Sequence, residues 1–376
     1  KKDEVHLVLS DVEPAIAAEL NDFFTFEVPG HKFMPAYRSR MWDGKIRLFN
    51  IHTGEIYVGL LPYIEEYLQN SNVEFALEKG VISKRPISRK NVEGFVESLK
   101  PTLGGKRISL RDYQINAVAH AIASNRALLI SPTASGKSLI IYSLVRYYHI
   151  KKLKTLILVP TTSLVEQMYK DFEDYGWNAE TYCQKIYQGH DRNITKDVVI
   201  STWQSLYKMP KQFFEDYGAV IGDEAHLFKA VSLTKIMTKL TDCKYRIGLT
   251  GTLDDSKTNK LVLTGLFGIV NRVVSTKQLI DKKQLANLKV VCLNLKYPEE
   301  ESKKVYGVKY FEELEYLTQN KARNKYIRNL TLALNGNTLC LFQLVEKHGE
   351  ILFNLIKEKA DPKRKVFFVY GGTETD

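Results

Sequence analysis

Cysteines are few in this sequence and long apolar runs are missing, and each scarcity excludes a class of protein. The 376 residues include only four cysteines, and no two of them form a C-x-x-C pair. This usage is typical of reduced thiols in a cytosolic protein and argues against a disulfide-stapled secreted domain. No apolar run approaches the length of a membrane span, and no signal peptide is visible. We therefore expect a cytoplasmic protein with no membrane partner.

Acidic residues are also scarce relative to basic ones. Lysine and arginine number 54 against 43 aspartates and glutamates, which gives a formal net charge of +11. Such an excess suits a polyanionic partner such as nucleic acid, although a basic surface without a specific partner gives the same count. The length allows two or three domains. The chain begins at Lys1 without a methionine, so we expect residues to precede it.

The spacing of apolar residues predicts an α/β fold in four segments. Residues 1–85 combine a helical pattern at 14–24, a hairpin signal over 45–60 and a second helix at 61–70, and they predict a small α/β domain. Residues 86–106 contain Pro86, Pro101 and a Gly-Gly pair, which indicates a linker with one short helix. Residues 107–283 alternate strands with helices, and the alternation restarts over 284–376.

Individual strands can be placed within the two alternating segments. The first segment has apolar runs at 127–130, 155–159, 197–201, 219–222 and 245–250. Such runs predict a parallel sheet covered by helices on both faces, with ligands at the carboxyl ends of the strands. In the second segment we expect strands at 289–295, 338–342 and 365–370, with helices at 310–333 and 344–358. That segment predicts only part of a second α/β domain.

The most informative motif follows the first of these strands. A loop between a strand and a helix points backbone amides and a helix N-terminus at one spot, which binds phosphate well. Lys137 would reach the terminal phosphates of a nucleotide, and the Ser138 hydroxyl would hold Mg²⁺. Ser131 replaces the first glycine of the phosphate-loop consensus, and an ordinary polar turn is the alternative. The predicted nucleotide-binding residues are Pro132, Thr133, Ala134, Ser135, Gly136, Lys137 and Ser138.

Two adjacent carboxylates end another predicted strand. The sequence Asp223-Glu224-Ala225-His226 follows the apolar run 218–222. Asp223 suits a Mg²⁺ contact, and Glu224 suits a catalytic base that orients an attacking water. A helix N-cap with a solvated charge is the alternative for this motif taken alone. The two motifs in this order, each after a buried strand, predict an ATP site.

Four shorter motifs lie around the same strands. Arg111 and Gln114 precede the first strand, and a glutamine amide can pair with an adenine edge, although the start of an amphipathic helix is the alternative. Thr162, Thr202 and Gln204 lie at strand ends, where they either contact nucleic-acid phosphates or cap helices. Two further threonines close the strand at 245–250, at a position suited to coupling the nucleotide site to bound nucleic acid; they are Thr250 and Thr252.

A basic cluster interleaved with aromatic residues lies in the N-terminal segment. Arg38, Arg40, Lys45 and Arg47 surround Trp42. This mixture suits phosphate contact combined with base stacking. The alternative is that the aromatic residues belong to the core of a hairpin, whose successive side chains point to opposite faces.

The ordered motifs over residues 107–376 resemble those of the superfamily 2 helicases and translocases. In that resemblance Arg111 and Gln114 are similar to the adenine-reading motif and the phosphate loop to motif I. Thr162 falls in a segment similar to motif Ia, and Thr202 with Gln204 in one similar to motif Ib. The Asp-Glu-Ala-His run looks like a motif II of the DEAH-box type, and Thr250 to Thr252 like motif III. The resemblance implies two RecA-like domains, ATP and Mg²⁺ as cofactors, and His226 as the link between motifs II and III; taken alone, that histidine is more often a local structural residue.

The N-terminal segment narrows the resemblance. Residues 37–49 and 321–325 are similar to segments of a family of bacteriophage recombination helicases. That similarity implies remodelling of branched DNA, namely unwinding, branch migration, fork regression and strand annealing in recombination, repair and replication, within the host cytoplasm. Three alternatives stay open at this point: an RNA helicase of the same superfamily, a nuclease-associated ATPase subunit without unwinding activity, and a non-catalytic nucleic-acid-binding module.

One departure from the superfamily pattern concerns its later motifs. Residues 284–376 contain no Q-x-x-G-R-x-x-R run, which in these motors supplies an arginine to the phosphate being transferred. Such arginines are worth about 10³–10⁵ in rate in other nucleotide hydrolases. We therefore expect these 376 residues to form an incomplete motor that hydrolyses ATP slowly but still binds DNA.

Overall fold

A parallel sheet lies at the centre of the first of two units into which the chain divides. The computed structural model describes residues 1–81, 87–187, 193–227, 230–253 and 257–371, and its units are Lys1–Asn287 and Leu288–Asp376. The strands of the first unit are β1 (His6–Val8), β2 (Thr25–Glu27), β3 (Lys45–Arg47), β4 (Phe49–Asn50), β5 (Glu55–Tyr57), β6 (Thr102–Leu103), β7 (Lys106–Arg107), β8 (Arg126–Ile130), β9 (Lys154–Val159), β10 (Cys183–Ile186), β11 (Val198–Thr202), β12 (Tyr217–Gly222), β13 (Tyr245–Thr250) and β14 (Val270–Arg272). Its helices are α1 (Pro14–Phe23), α2 (Pro35–Arg38), α3 (Leu61–Asn70), α4 (Arg89–Leu99), α5 (Asp112–Ser124), α6 (Lys137–Ile150), α7 (Thr162–Asp174), α8 (Ala179–Tyr182), α9 (Trp203–Leu206), α10 (Ala230–Met237), α11 (Lys257–Phe267) and α12 (Thr276–Asp281).

The central sheet has seven parallel strands in the described part of this unit, in the order β10-β11-β9-β12-β13-β8-β14. The five strands predicted from apolar runs are confirmed as β8, β9, β11, β12 and β13. Nearly all of their residues are buried, as expected for strands covered on both faces. The two strands at the ends of this order, β10 and β14, were not predicted from the sequence, because each is short and partly polar. The α/β fold class is confirmed.

The N-terminal part of the first unit contains two small antiparallel sheets. The helices predicted at 14–24 and 61–70 are confirmed as α1 and α3. The hairpin prediction is confirmed only for β4 with β5, because β3 pairs with β2 instead. Leu48 and Phe49 explain the difference, since two consecutive buried side chains break the alternation of a single strand and move the chain from one sheet to the next. No helix in the described residues is long and apolar enough to cross a membrane.

Close backbone contact joins this N-terminal part to the central sheet. A Cβ atom on Gly59 would lie 2.1 Å from the carbonyl oxygen of Thr264 in α11, so only glycine fits there. On the other side, Arg126 at the start of β8 forms an ion pair with Glu4 at 2.9 Å, and both side chains are largely buried. The N-terminal part is therefore fixed to the sheet by interactions that tolerate little displacement.

The segment interpreted as a linker packs against the central domain. Its predicted helix is present as α4, which lies on α5 and buries Val92 and Val96 in the core of the sheet. The strands β6 and β7 form a hairpin around Gly104 and Gly105, both with positive φ. The proposed boundary at residues 85 and 86 lies outside the part of the chain that the structure describes.

The second unit consists of helices and irregular segments in its described part. Its helices are α13 (Glu299–Lys304), α14 (Tyr310–Gln319), α15 (Lys321–Ala333) and α16 (Glu350–Lys359), with a π-helical turn at Val345–Gly349. The helix predicted at 310–333 is interrupted at Asn320, whose side chain accepts a hydrogen bond from the Arg323 amide and begins a new helix. The helix predicted at 344–358 is confirmed as the π turn followed by α16.

The three strands predicted in the second unit are wrong. Residues 289–295, 338–342 and 365–370 have no regular secondary structure and belong to no ladder. Leu339 and Leu341 are 82% and 81% exposed, although their apolar pattern is typical of buried strands. The rings of Phe342 and Phe368 stack at 5.3 Å and bring two of these segments together by side-chain contact alone. An apolar run becomes a strand only where a neighbour supplies backbone hydrogen bonds.

A buried arginine connects the central sheet to the helix beside it. Arg246 in β13 is completely buried and donates hydrogen bonds to the carbonyl oxygens of Met237 at 3.1 Å, of Cys243 at 3.1 Å and of Leu240. Met237 is the last residue of α10, so the guanidinium satisfies carbonyls that the end of a helix leaves free. Burial lowers the pKa of Arg246 to about 9, so the group is charged at neutral pH.

We expect Arg246→Ala to lower the free energy of unfolding by about 3 kcal/mol, because three buried carbonyls lose their donor and a cavity remains. Arg246→Lys should recover only part of this loss, since an ammonium cannot reproduce the geometry of the guanidinium fork. Urea unfolding followed by circular dichroism measures the effect. Lys170→Ala, at an exposed position of α7, is the control and should change stability by less than about 0.5 kcal/mol. An Arg246→Ala variant as stable as the parent protein would contradict the role assigned to this arginine.

Candidate active site

Three loops meet at the carboxyl edge of the central sheet. They follow β8, β12 and β13, which are neighbours in the sheet. Backbone hydrogen bonds tie the loop starts to adjacent strands: the Ser131 amide donates to the Thr250 carbonyl at 2.9 Å, and the Asp223 amide donates to the Leu158 carbonyl at 2.9 Å. Parallel strands therefore bring together side chains that are about ninety positions apart in the sequence.

The loop after β8 has the backbone shape of a phosphate-binding loop. Gly136, directly before α6, has φ of +79°, and a Cβ there would lie 2.4 Å from the Gln114 amide nitrogen. Ala134 also has a positive φ. The hydroxyl of Ser131 lies 2.7 Å from that of Ser135, and both side chains are buried. The serine that departs from the glycine consensus thus contributes a hydrogen bond inside the loop.

An ion pair joins the loop to the acidic motif. The Nζ atom of Lys137 lies 2.7 Å from Oε1 of Glu224, and both side chains are mostly shielded from solvent. Glu224 has φ of +48°, a strained conformation for a residue with a side chain, and such strain concentrates at functional sites. The structure brings these two predicted catalytic residues into direct contact.

A histidine and two threonines extend this contact to the carboxyl end of β13. The Nδ1 atom of His226 lies 2.6 Å from the Thr250 hydroxyl and 3.5 Å from Oε2 of Glu224. The Thr250 hydroxyl donates its single hydrogen to the Thr252 carbonyl. Nδ1 of His226 must therefore be the donor to Thr250. The residues predicted to couple the nucleotide site to bound nucleic acid form a continuous chain with Glu224.

Asp223 and Ser138 are the residues that suit a magnesium ion. Burial, followed by the charge of Glu224, raises the pKa of Asp223 to about 6, and a buried carboxylate of this kind is stabilised by a nearby cation. Within the described residues there is no group of three or more histidine, cysteine or acidic side chains that holds a metal by itself. Mg²⁺ fits such a site, because it takes one or two protein oxygens and completes its shell with phosphates and water.

Two residues that the sequence analysis missed hold the Ser138 hydroxyl. It lies 2.8 Å from the hydroxyl of Tyr175, and its proximity to the Asp171 carboxylate opposes the rise that burial causes in the pKa of that group. Burial raises the pKa of both Tyr175 and Asp171. Both residues come from α7 or the turn after it, 33 and 37 positions from Ser138, so no spacing pattern indicates them.

The predicted adenine-reading residues hold the phosphate loop in this structure. The Gln114 amide is buried; its nitrogen donates to the Ser135 carbonyl at 3.0 Å, and its oxygen accepts from the Arg111 amide at 2.7 Å. The Arg111 guanidinium donates to the hydroxyl of Tyr113, which donates in turn to the Ser135 carbonyl at 2.9 Å. The structure shows these residues supporting the loop, and adenine contact by Arg111 and Gln114 stays a prediction.

The predicted nucleic-acid residues of the sheet lie at the ends of β9 and β11. Thr162 is exposed at the start of α7, whereas Thr202 is buried and its hydroxyl lies 2.9 Å from that of Ser205. The Gln204 amide donates to the Pro160 carbonyl at 3.1 Å and so connects the two loops. These contacts place all three residues at the edge that carries the nucleotide site, and two of them also stabilise local structure.

The basic cluster of the N-terminal part lies outside the three loops. Arg38, Arg40 and Lys45 are exposed, whereas Arg47 forms an ion pair with Asp43. The indole nitrogen of Trp42, which is half-buried, donates to the Lys45 carbonyl at 2.8 Å. The cations face solvent, as nucleic-acid contact requires. Trp42 supports the loop that carries them, which agrees with the alternative of a structural role for the aromatic residue.

Comparison with known proteins gives two family matches and several relatives. The family described as "Type III restriction enzyme, res subunit" matches residues 107–255, and "DNA helicase UvsW, N-terminal" matches residues 3–78. Over 374 residues the chain is 36% identical to the ATP-dependent DNA helicase uvsW of Enterobacteria phage T4, with 97% of this chain and 74% of the phage protein aligned. The DNA 3'-5' translocase XPB2 of Sulfurisphaera tokodaii is 28% identical over 217 residues, which cover 58% of this chain and 47% of that protein.

Solved structures extend this comparison to the fold. A crystal structure of T4 UvsW matches with a TM-score of 0.68 at 34% identity, over 96% of this chain and 72% of that one. A second structure, of the UvsW helicase from bacteriophage T4, matches with a TM-score of 0.66 over 72% of this chain and 97% of that one. The RecA-like fold of the central sheet is confirmed by these matches.

Proposed function

Because the chain belongs to the UvsW family of superfamily 2 ATP-dependent DNA helicases, we propose that it remodels branched DNA. The reactions that we assign to it are unwinding, branch migration and fork regression during recombination and replication. The observation that carries the proposal is the contact between Lys137 and Glu224 at 2.7 Å beside the buried Asp223. These three side chains supply the charge, the base and the metal ligand that ATP hydrolysis requires.

Each side chain of the site takes a separate part in hydrolysis. Lys137 leaves Glu224 and binds the terminal phosphates, which frees the Glu224 carboxylate to orient the attacking water and accept its proton. Ser138 and Asp223 would hold Mg²⁺, which would neutralise charge on the phosphates. The release of Glu224 alters its contact with His226. Thr250 and Thr252 transmit that change to the part of the same sheet edge that lies near the nucleic acid.

The nucleic acid follows the carboxyl edge of the sheet near Thr162, Thr202 and Gln204. The exposed Thr162, and the loops that Thr202 and Gln204 stabilise, contact the backbone rather than the bases, which suits a motor that moves along DNA of any sequence. The cluster of Arg38, Arg40, Lys45 and Arg47 adds a second contact in the N-terminal part. The net charge of +11 over these 376 residues supports a polyanionic substrate.

We assign a role to each segment on the same basis. Residues 1–85 form the DNA-binding domain, 86–106 the connection, 107–283 the first RecA-like motor domain and 284–376 part of the second. The arrangement of the ATP-site residues at one sheet edge within 107–283 supports this division. The similarity to a phage helicase supports the host cytoplasm as the place of action.

A nuclease-associated ATPase subunit without unwinding activity is the second candidate function. The match of residues 107–255 to a restriction-enzyme subunit favours it. A strand-displacement assay on a labelled fork separates the two functions. A helicase releases the labelled strand only when ATP and Mg²⁺ are present, whereas the alternative hydrolyses ATP and leaves the fork intact. Release of the strand that does not depend on ATP would contradict both.

We expect the combined change of Arg38, Arg40, Lys45 and Arg47 to alanine to weaken DNA binding and flatten its dependence on salt. The plot of log K against log salt should lose about 0.9 of slope for each phosphate contact removed, because fewer counterions are released. Fluorescence anisotropy gives the DNA-binding constant at salt concentrations from about 50 to about 200 mM, and the slope follows from these values.

The matched control removes the same number of positive charges from the edge of the central sheet that lies opposite the nucleotide site. Its four changes, all to alanine and all just before or at the start of central strands, are at Lys151, Lys154, Lys196 and Lys244. We expect this control to keep the slope of the parent protein. An unchanged slope in the folded N-terminal variant would place the DNA contact elsewhere.

A further inference from the structure

Two apolar side chains of the N-terminal part face solvent to an unusual degree. Phe33 is 76% exposed and Met41 is 85% exposed, the highest values for large apolar residues in the described part of Lys1–Asn287. Exposure of one such residue is ordinary, but both of these belong to the connection from β2 to β3, Val28–Lys45, which includes α2. This connection is called here the apolar-tipped loop. Neither residue is among those assigned above to the nucleotide or nucleic-acid site.

The exposure does not result from a loose loop. The Val28 amide donates to the Gly44 carbonyl at 2.9 Å and closes the base of the loop. The imidazole of His31 is buried beneath it, bonded to the Val28 carbonyl at 2.8 Å and packed against the Tyr37 ring at 4.7 Å. Gly44 has no space for a Cβ, which would lie 2.4 Å from the imidazole. The loop is therefore anchored through its centre.

Backbone hydrogen bonds also fix the two residues that carry the exposed side chains. The Phe33 amide donates to the Gly30 carbonyl at 3.0 Å, and the Met41 amide donates to the Ala36 carbonyl at 3.0 Å. The side chains consequently project from a defined backbone. Little backbone entropy is lost when side chains on such a backbone bind a ligand.

Positive charge without ion-pair partners lies in the same segment as the two apolar side chains. Lys32, Arg38, Arg40 and Lys45 are all exposed, and in residues 28–47, all of which the structure describes, none of them forms an ion pair. In this loop and strand Arg47 alone has a carboxylate partner, Asp43. A ligand that matches the surface must combine negative charge with flat apolar faces.

Nucleic acid at a branch point has this combination. The phosphates supply the negative charge, and bases at a junction expose faces that are covered by stacking within a continuous duplex. Apolar side chains that enter between base steps are a known way to hold distorted DNA. A surface of anionic lipid shares the charge but offers no base faces, and it is the competing ligand in the experiment below.

We propose that Phe33 and Met41 stack against the bases at a DNA branch while the cations of the same segment hold the adjoining phosphates. The apolar-tipped loop thereby distinguishes a fork from continuous duplex, which charge alone does not do. This inference rests on the proposed function and adds to it the element that selects branched substrate.

The test compares the parent protein with the double variant Phe33→Ala, Met41→Ala. Binding is measured by anisotropy on a fork and on a linear duplex with the same number of phosphates, and 2-aminopurine beside the branch reports local unstacking. We expect the double variant to bind the fork about 10-fold more weakly and to lose the 2-aminopurine response. Its affinity for duplex should change less than about 2-fold and its salt slope should not change, because no phosphate contact is lost.

Two control variants separate stacking from a general loss of apolar surface. Ile150→Ala removes an exposed apolar side chain, 58% accessible, at the end of α6 and beside two lysines, and it should leave fork binding unchanged. Phe33→Trp keeps an aromatic face and should keep the 2-aminopurine response. Thermal unfolding of each variant shows whether the fold is intact, as expected for substitutions at exposed positions.

Three outcomes would overturn the proposal. The first is a double variant that keeps the fork affinity and the 2-aminopurine response of the parent protein. The second is loss of binding to vesicles containing phosphatidylserine with no effect on the fork, which would assign the loop to a membrane surface. The third is an equal loss of affinity for fork and duplex. Failure of the proposed function looks different, because the parent protein itself would then show no ATP-dependent remodelling of forks.

Discussion

Lys137→Ala is expected to abolish ATP turnover and to weaken ATP binding by about 10- to 100-fold, the range given by loss of a hydrogen bond between charged groups. Lys137 begins α6 directly after the phosphate-loop glycine, and it supplies the only formal charge of the loop 131–138. Its present partner is Glu224 at 2.7 Å, and a bound phosphate competes for the same ammonium group. Titration with a fluorescent ATP analogue measures binding, and phosphate release measures turnover.

The matched control for this change is Lys154→Ala. Lys154 also forms an ion pair, with Asp216 at 2.8 Å, but it lies at the opposite end of the central sheet and is partly exposed. Loss of that exposed pair should cost little stability and leave ATP binding unchanged. Normal turnover in the folded Lys137→Ala protein would remove the nucleotide site from this edge of the sheet.

Glu224→Gln is expected to slow ATP hydrolysis by about 10²- to 10⁴-fold while ATP still binds. The amide occupies the space of the carboxylate but cannot accept the proton of the attacking water. Binding should become tighter rather than weaker, because Lys137 no longer forms an ion pair that the phosphates must displace. The charge of Glu224 also helps to raise the pKa of Asp223, so the substitution should lower that pKa and favour the ionised form.

Single-turnover hydrolysis and nucleotide titration on the same preparation separate the two effects of this change. Glu215→Gln is the control, because Glu215 is exposed and lies before β12, whereas Glu224 follows it. Loss of nucleotide binding in a folded Glu224→Gln protein would show that Glu224 mainly supports the metal site. Hydrolysis at the parent rate would show that another group activates the water.

The central strands were predictable because burial on both faces leaves a simple apolar run in the sequence. The position of the site could be predicted from the same pattern, because residues directly after parallel strands meet at one edge of the sheet. This arrangement brings Lys137 into contact with Glu224, 87 positions away in the sequence. Edge strands such as β10 bury fewer residues and gave no such signal. The apolar runs of the second unit gave a false signal, because a run does not show whether a neighbouring strand is available.

Contacts between side chains that are distant in the sequence were the part that could not be predicted. The bond from Tyr175 to Ser138 depends on how α7 lies against α6, and neither residue carries a pattern that indicates it. The exposure of Phe33 and Met41 could not be predicted from the sequence either, because an apolar residue in a loop is usually assigned to the core. The basic residues beside them were identified, since charge patterns can be counted directly from the sequence.

The most direct test of the account is the ATPase activity of the full-length protein with three nucleic acids, namely branched DNA, linear duplex DNA and single-stranded RNA. Each is supplied at the same concentration of phosphate, with and without Mg²⁺. The account predicts the largest stimulation by branched DNA, a smaller one by duplex and the smallest by RNA, all dependent on Mg²⁺ and on Lys137. Stimulation by RNA equal to or greater than that by branched DNA, or activity that survives in Lys137→Ala, would contradict it.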